Sequence, residues 1–571
     1  MTERVVRVVP DVSGLDKAFD YVVPPEMDAD VRVGTLVRVS LHGRRVGGWV
    51  VADRVTPPAG VRLRPLAKVT GWGPPGPVVD LARWAAWRWA GPVRPLLRAA
   101  SPPGAVRGLP APPAARAPAS APGDDDPVVR EAFARPRSVV RLPPAADAYP
   151  LVAAAACLGR ALVVTPAVGD SALLAARLRR SGAPVASVPR DWGRAAAGGS
   201  VVVGARAAAW SPVPDLAAVV VLDAHDESLR EERAPTWNAW QVAAERADRA
   251  GVPCVLVSPC PTLEQLAWGE LSLPSRAVER AGWPAVEVVD RRHDDPRSGL
   301  YSERLVRVLR SAGRVACVLN RKGRARLLAC GACGELVRCE WCTGAMAQDG
   351  DGLRCRRCGV GRPPVCQACG AARLKSLRVG VSRAREELEA LAGRPVAEVT
   401  GESDELPEAP VLVGTEALLH RLRSADAVVF VDFDQEMLAP RFRAAEQALA
   451  LLARAGRVVG GRDGGGRVVV QTRAPGSPVL RAAVHADPGR LTAAESERRA
   501  SLRLPPATAL ALVSGDAAAF VAALPATVEV MGPAEGRWLV RADDHRTLCD
   551  ALASVPRTGA RLRVEVDPAR A

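Results

Sequence analysis

The middle of the chain carries four Cys-x-x-Cys pairs in close succession, which read Cys330-Gly-Ala-Cys333, Cys339-Glu-Trp-Cys342, Cys355-Arg-Arg-Cys358 and Cys366-Gln-Ala-Cys369. A two-residue gap lets one turn present two thiolates to one metal ion, and Zn²⁺ binds four soft ligands in a tetrahedron. The four pairs therefore predict two closed, structural zinc sites with four cysteine ligands each. The neighbouring glycines suit turns that require a positive φ; they are Gly331, Gly334, Gly359 and Gly370.

Two other uses of cysteine fit this stretch less well. A redox dithiol needs one such pair rather than four, and a disulfide framework is typical of small secreted domains. The spacing alone leaves open three ways of sharing the four pairs between two metal ions. The remaining cysteines are scattered, mostly in apolar runs, and are predicted to be core thiols of a reduced protein; they are Cys157, Cys254, Cys260, Cys317 and Cys549.

Composition narrows the class of protein. The chain has 571 residues, of which 48% are hydrophobic, so several domains with buried cores are expected. It contains no run of about eighteen apolar residues and begins Met1-Thr-Glu-Arg-Val-Val without an apolar signal segment, which predicts a cytoplasmic, nucleoid-associated protein and no membrane partner. The net charge of +15 favours a polyanionic partner such as nucleic acid, although a GC-rich coding sequence also produces an arginine-rich chain.

The hydrophobic pattern predicts a multidomain α/β protein in five parts. These are a β-rich domain at 1–100 that ends in a helix over Leu81–Ala99, a Pro/Ala-rich linker at 101–128, a parallel α/β lobe at 129–290, a second α/β lobe at 291–490 with the zinc insertion at 330–369, and a small α+β domain at 491–571.

In this order, the segments resemble the PriA family of primosomal replication-restart proteins (primosomal protein N-prime). Phe19-Asp20-Tyr21 looks like the family's pocket for the 3′ end of a nascent strand, and Gly43 and Lys68 fall where that pocket has its other contacts. Further similar segments are Gly204-Ala-Arg206, Asn320-Arg-Lys-Gly323, Arg441-Phe-Arg-Ala-Ala-Glu446, Arg454-Ala-Gly-Arg457, and Arg498 with Pro505-Pro506.

The resemblance implies an N-terminal 3′-end DNA-binding domain and two helicase-like, RecA-type lobes. It also implies nested zinc sites, in which the outer pairs Cys330, Cys333, Cys366 and Cys369 hold one ion and the inner pairs Cys339, Cys342, Cys355 and Cys358 hold the other. The partners it implies are forked DNA and single-strand/duplex junctions, the replicative helicase and its loader, the single-stranded DNA-binding protein and other primosome components. The DNA-contacting residues carried over are Phe19, Asp20, Tyr21, Gly43 and Lys68.

The ATP site of such a helicase is missing from the sequence. A phosphate-binding loop needs glycine backbone, a lysine and a hydroxyl, but the corresponding segment reads Leu142-Pro-Pro-Ala-Ala-Asp-Ala-Tyr149. Leu222-Asp-Ala-His225 stands where the family has Asp-Glu-Glu-His, and Val257-Ser-Pro-Cys260 where it has Gly-Ser-Ala-Thr. No residue is therefore assigned a catalytic role, and loss of the phosphate-binding and metal-binding groups together predicts that ATP hydrolysis is absent.

A second departure is the linker. Relatives carry a winged-helix domain between the N-terminal domain and the first lobe, but Pro102–Pro127 is too poor in apolar residues to fold as one. The preferred hypothesis is a non-catalytic restart protein that binds abandoned forks and promotes reloading of the replicative helicase. An active ATP-dependent 3′–5′ helicase with diverged motifs, and a zinc-ribbon scaffold acting on RNA or transcription, are the alternatives. Arg454 and Arg457 are expected in ion pairs rather than on DNA, and the two lobes in one fixed arrangement.

Overall fold

A computed structural model describes residues 3–57, 60–113, 126–294, 300–319, 328–355, 357–376, 384–399, 405–557 and 561–569. Two predicted segments fall outside these ranges, namely Asn320-Arg-Lys-Gly323 and the linker residues 114–125. Among the described residues, no helix is long and apolar enough to cross a membrane.

The N-terminal domain is built on one rolled sheet. Its strands are β1 (Val5–Pro10), β2 (Phe19–Val22), β3 (Leu36–Leu41), β4 (Arg44–Asp53), β5 (Arg64–Pro65) and β6 (Lys68–Gly71), in the order β5-β2-β1-β4-β3-β6. Between β5 and β6, the backbone N–H of Leu66 donates to Val22 of β2 and that of Ala67 donates to Arg38 of β3. Since β2 and β3 lie near opposite edges of the sheet, this segment closes it into a small barrel around valine side chains.

The helix predicted between Leu81 and Ala99 is in fact two helices, α1 (Gly76–Arg88) and α2 (Arg94–Ala100). The chain turns between them at Ala90, whose φ is 43°. A side chain at Gly91 would meet Pro235 of the next domain at 2.5 Å. The break is set by this close approach, which the apolar spacing of the segment does not reveal.

The described part of the linker contains no helix or strand before α3 (Pro127–Ala134). It is not detached from the protein, because the carbonyl of Val106 accepts a hydrogen bond of 2.7 Å from the backbone N–H of Trp72.

The first lobe has a seven-stranded sheet in which every pairing is parallel, as the buried valine-rich runs predict. Its order is β13-β7-β12-β11-β8-β10-β9. The elements are β7 (Arg137–Arg141), α4 (Tyr149–Leu158), β8 (Arg160–Val164), α5 (Val168–Arg180), β9 (Val185–Ser187), α6 (Trp192–Ala197), β10 (Val201–Gly204), β11 (Leu216–Leu222), α7 (Ala239–Ala250), β12 (Cys254–Ser258), α8 (Leu263–Trp268), β13 (Glu270–Ser272) and α9 (Arg276–Gly282).

The second lobe has a six-stranded parallel sheet and carries the cysteine-rich segment as an insertion after β15. Its elements are β14 (Ala285–Asp290), α10 (Glu303–Ser311), β15 (Val315–Val318), the insertion strands β16 (Leu328–Cys330), β17 (Met346–Asp349), β18 (Gly352–Cys355), β19 (Gly361–Arg362) and β20 (Leu374–Ser376), then α11 (Ala384–Ala392), β21 (Val396–Val399), β22 (Val411–Gly414), α12 (Ala417–Arg421), β23 (Ala427–Phe430), α13 (Asp434–Met437), α14 (Ala444–Val459), β24 (Arg467–Thr472) and α15 (Pro478–Val484). The sheet order is β14-β24-β23-β15-β22-β21. Because β14 pairs with β24, the predicted boundary at residue 290 is wrong, and the second lobe begins before Ala285.

The C-terminal domain packs back onto the beginning of the chain. It contains α16 (Gly489–Ser501), β25 (Ala509–Ser514), α17 (Ala518–Ala522), β26 (Glu529–Ala534), β27 (Arg537–Ala542), α18 (His545–Ser554) and β28 (Arg563–Val566), with the antiparallel order β26-β27-β25-β28. One apolar core runs through α1, α7 and this sheet. A buried ion pair of 2.6 Å joins Arg88 to Asp567 across the same interface. The predicted multidomain α/β fold class is confirmed.

Candidate metal centres and nucleic-acid interface

The structure brings the eight cysteines of the insertion into two separate groups. In each group the four sulfur atoms lie within 4.8 Å of one another. The first group is Cys330, Cys333, Cys366 and Cys369, and the second is Cys339, Cys342, Cys355 and Cys358. This is the nested arrangement that the family resemblance implies, with the inner group enclosed within the chain segment that the outer group closes.

Four similar turns place the sulfur atoms. In each turn the carbonyl of the first cysteine accepts a hydrogen bond from the backbone N–H four residues later; the donors are Gly334, Thr343, Gly359 and Gly370. All four donor residues have a positive φ, between 57° and 78°. Three of the four glycines named from the sequence occupy these positions. Gly331 does not, and Thr343 takes the left-handed position of the second pair.

The two groups fit a tetrahedral metal ion. The shortest Sγ–Sγ distances are 3.5 and 3.6 Å in the outer group and 3.4 Å in the inner group. A tetrahedron with metal–sulfur bonds of about 2.3 Å has edges of about 3.8 Å. Both groups offer sulfur donors only, a ligand set that suits Zn²⁺ and other thiophilic ions. Two four-cysteine sites that could hold metal ions are therefore present.

Two arginines hold the cysteine-rich insertion against the second lobe. Arg357 donates to the carbonyls of Cys342 and Ala439 at 3.0 and 2.8 Å. Arg498 of α16 donates to the carbonyls of Cys342 and Phe442 at 3.4 and 3.2 Å. On the insertion's own surface Trp341, in the gap of the second pair, has 72% of its surface exposed. The sequence analysis assigns no role to Trp341, although its position between two predicted metal ligands indicates that its side chain lies near the surface of the insertion.

The loop over residues 142–149 places a carboxylate at the start of a helix. It connects β7 to α4, and the carboxylate of Asp147 accepts a hydrogen bond of 2.9 Å from the N–H of Tyr149 at the start of the helix. Arg177 of α5 pairs with Asp147 at 2.7 Å and lies over the Tyr149 ring. Although burial opposes it, this pairing lowers the pKa of Asp147. A negative charge thus takes the helix N-terminus that would otherwise attract an anion.

The opposite wall of the same cleft comes from the second lobe. Arg457 of α14 donates two hydrogen bonds to the Asp223 carboxylate, with Nη2 2.7 Å from Oδ1. Burial alone would raise the pKa of Asp223, but the guanidinium of Arg457 lowers it to about 2. The cavity that remains beside this pair has a volume of about 280 Å³.

In the first lobe, hydrogen-bond contacts connect the segment that follows β11 with the end of β12 and with α8. His225 Nδ1 and Ser258 Oγ lie 2.9 Å apart, and Gln265 donates to the carbonyl of Ala224 at 2.6 Å. Burial lowers the pKa of His225. In the second lobe, Arg454 lies 2.8 Å from His420, so its nearest partner is a protein side chain.

A group of buried charges joins the two lobes at a second place. Arg443, which immediately precedes α14, pairs with Glu264 of the first lobe at 2.7 Å. Arg499 of α16 pairs with Glu446 at 2.5 Å, and its side chain is only 1% exposed. Nothing in the sequence separates Arg499 from a surface arginine, because its burial arises only when both lobes and α16 come together.

The residues carried over for the 3′-end pocket lie on the N-terminal barrel. Asp20 on β2 is held by Arg7 of β1, with Nε–Oδ1 and Nη2–Oδ2 distances of 2.8 and 3.1 Å. Tyr21 is 4% exposed and its hydroxyl donates to Ser40 at 3.3 Å, while Phe19 packs partly buried against the same core. Gly43, with a φ of 79°, and Lys68 are exposed.

Comparison with known proteins finds matches both for the N-terminal barrel and for most of the chain. Residues 7–102 match the family model described as the 3′ DNA-binding domain (3′BD) of PriA. The probable replication restart protein PriA of Mycobacterium leprae is 30% identical over 591 aligned residues, which cover 92% of this chain and 90% of that protein. The chain belongs to the PriA family.

Other PriA proteins support this assignment. The probable replication restart protein PriA of Mycobacterium tuberculosis (strain CDC 1551 / Oshkosh) is 30% identical over 90% of this chain and 87% of its own length. The replication restart protein PriA of Bacillus subtilis is 28% identical over 48% of this chain and 38% of its own length. The resemblance inferred from ordered motifs is thus confirmed, and this PriA family member carries the family's 3′ DNA-binding domain at its N-terminus.

Proposed function

We propose that this chain is a non-catalytic replication restart protein, which binds abandoned or stalled DNA forks and promotes reloading of the replicative helicase without hydrolysing ATP. Its membership of the PriA family, whose relatives are named replication restart proteins, supports the role in restart. The 3′ DNA-binding domain at residues 7–102 supports recognition of a strand end.

The observation that carries the non-catalytic part is the state of the cleft between the lobes. The N-terminus of α4 is occupied by the Asp147 carboxylate, and Asp223 pairs with Arg457 across the cleft. Beside α4 the cavity of about 280 Å³ is at or below the roughly 300–1,000 Å³ of ordinary small-molecule sites, and the larger cavity of about 1240 Å³ that also borders the Asp223–Arg457 pair does not include the α4 N-terminus. Phosphoryl transfer depends on positioned positive charge around the phosphates, whereas the arginines of this cleft, Arg177 and Arg457, are each engaged by a carboxylate.

In this proposal the N-terminal barrel reads the strand end. Arg7 fixes the orientation of the Asp20 carboxylate, and each carboxylate oxygen keeps a lone pair that can accept a hydrogen bond from a 3′-hydroxyl. A terminal phosphate at the same place would meet a negative charge instead. The geometry therefore favours an unmodified 3′ end. Phe19, Gly43 and Lys68 would complete the contacts around the terminal nucleotide.

The cysteine-rich insertion would serve as the docking platform for the replicative helicase, its loader, the single-stranded DNA-binding protein or other primosome components. Each group of four cysteines would hold one Zn²⁺, which when bound supplies a cross-link between two turns. The insertion has little sheet structure of its own, so these cross-links would fix its surface, including the exposed Trp341.

The experiment compares forked DNA ending in a 3′-hydroxyl with the same fork ending in a 3′-phosphate, without nucleotide. We expect the wild-type protein to bind the 3′-hydroxyl fork about tenfold more tightly, the size of one hydrogen bond to a charged group. Asp20→Asn should lose most of this preference, whereas Asp30→Asn, which removes the same charge from an exposed site of the same domain, should retain it. Equal wild-type affinity for both forks would refute recognition of the 3′ end.

A further inference from the structure

One exposed face of the N-terminal barrel is formed by four cations around Ser40. Arg38 lies directly opposite Lys68 in the β3–β6 pairing, and Ser40 lies opposite Arg45 in the β3–β4 pairing. Arg64 donates to the Ser40 hydroxyl at 3.3 Å. Because Val37 and Val39 on either side of Arg38 are buried, Arg38, Arg45 and Lys68 share the outer face of the barrel, and Arg64 joins them through its contact with Ser40. We call these four residues, Arg38, Arg45, Arg64 and Lys68, the basic face.

The basic face carries no compensating acid. Within the described part of the chain, none of its four side chains forms an ion pair, and all four are exposed. Other arginines of this domain are paired, as Arg4 is with Asp53 and Arg7 with Asp20. Like charges placed directly opposite in an antiparallel pair, as Arg38 and Lys68 are, destabilise the sheet. An anion bound across the face would relieve this repulsion.

The basic face connects to the strand that carries Asp20. The Tyr21 hydroxyl donates to the carbonyl of Ser40, the residue that also accepts from Arg64. Arg64 of the basic face also lies opposite Tyr21, the neighbour of Asp20, in the β2–β5 pairing. A nucleic acid whose end lies at Asp20 on β2 would therefore have its adjoining backbone within reach of the basic face. Arginine and lysine on an outer sheet face, spaced one strand apart at about 5–8 Å, match the spacing of successive phosphates of about 6–7 Å.

We propose that the basic face binds the backbone phosphates of the duplex immediately behind the 3′ end. This inference rests on the proposed function and adds three residues to it, namely Arg38, Arg45 and Arg64. They supply affinity without reading the end itself, because phosphate contacts position a protein on DNA and carry no information about the terminal group.

The test is a salt titration of fork binding. The triple variant Arg38→Gln/Arg45→Gln/Arg64→Gln is compared with Arg130→Gln/Arg180→Gln/Arg546→Gln. The control removes the same charge from three exposed arginines that form no ion pair within the described ranges and lie on other domains. Each duplex phosphate contact contributes about 0.9 to the slope of log K against log salt concentration. The basic-face variant should therefore lower the slope by about 2–3 while the control keeps the wild-type slope.

The proposed recognition of the 3′ end and the proposed phosphate binding by the basic face would be refuted by different results. If the slope falls in the basic-face variant but the wild type ignores the 3′ end, the phosphate contacts stand and end recognition fails. If the slope equals that of the control variant, the basic face does not bind DNA. An unchanged slope together with lost binding to poly-glutamate would assign the face to an acidic protein instead. Thermal unfolding of the variant should occur at or above the wild-type temperature, since like-charge repulsion is removed, and Arg45→Gln alone should lower the slope by about 0.9.

Discussion

Arg457 and Asp223 form a two-pronged ion pair between the second and the first lobe, with Nη2 and Oδ1 2.7 Å apart. Asp223 is 9% exposed and follows β11 in a left-handed conformation with a φ of 47°. The pair lies in the cleft between the lobes. Contacts within the protein therefore bridge the two lobes at this cleft.

Removing the arginine of this pair should destabilise the protein. In Arg457→Ala the buried Asp223 carboxylate loses its partner, and because the Arg457 side chain is 39% exposed the cost lies between the limits for surface and buried pairs, at about 2 kcal/mol. We expect the thermal unfolding midpoint to fall by about 3–5 °C.

Two further variants qualify this result. Arg454→Ala, one turn earlier on α14, removes an exposed contact with His420 and should change the midpoint by less than about 1 °C. Asp223→Ala/Arg457→Ala should be more stable than Arg457→Ala, since no lone carboxylate remains. A midpoint for Arg457→Ala that matches the wild type would show that the ion pair does not hold the lobes together.

The same pair predicts a pH dependence. The folded pKa of Asp223 is about 2, below the value of about 3.9 for an unfolded chain. Its contribution to stability is therefore fully present above about pH 4 and is lost as the pH falls towards 2. The difference in urea midpoint between wild type and Asp223→Asn should be constant from pH 7 to 5 and smaller at pH 3. A difference that is the same at pH 7 and pH 3 would contradict the lowered pKa.

Features set by local sequence could be predicted, and those set by distant contacts could not. The Cys-x-x-Cys turns follow from short-range spacing, and the valine-rich runs around Val163 and Val220 identify buried parallel strands. The nested pairing needed the family resemblance, because spacing fits three arrangements. The break at Ala90 and the transfer of β14 to the second sheet depend on Pro235 and on β24, which lie far along the chain.

In the cleft between the lobes, too, some features could be predicted from local sequence and others could not. The absence of glycine, lysine, serine and threonine from the segment around Pro143, Pro144 and Asp147 could be read from the sequence. The partner of Asp223 could not be predicted, since Arg457 is 234 residues away along the chain. The sequence led only to the expectation that Arg457 forms an ion pair, without its partner. The basic face could not be predicted from the sequence either, because its residues come from four strands and only Lys68 was among the residues carried over from the family.

Metal content should follow the two cysteine groups. We expect two zinc ions per wild-type chain by elemental analysis and one in Cys355→Ser, since the outer group is closed independently by the β16–β20 pairing. Cys366→Ser should also retain one ion, held by the inner group beside the β17–β18 hairpin. Cys157→Ser, outside the insertion, should keep both. Two ions in either variant would contradict the assignment of that cysteine as a metal ligand.

Trp341 should matter for partner binding and not for stability. Its side chain is 72% exposed, so Trp341→Ala should leave the thermal midpoint within about 1 °C of wild type. Exposed aromatic side chains often dominate protein interfaces, and we expect at least about fivefold weaker binding to the replicative helicase or the single-stranded DNA-binding protein by calorimetry. Val168→Ala, at a residue 74% exposed on the first lobe, is the control. Unchanged affinity for all primosome partners would remove Trp341 from the docking surface.

The most direct test of the non-catalytic proposal is ATP hydrolysis by the purified full-length protein with saturating forked DNA. The two arginines that line the cleft, Arg177 and Arg457, are each paired with a carboxylate, so we expect phosphate release at the level of the protein-free blank. Arg457→Ala should give the same blank rate. DNA-dependent turnover in the wild type that Arg457→Ala abolishes would contradict the account and identify the chain as an active helicase with diverged motifs.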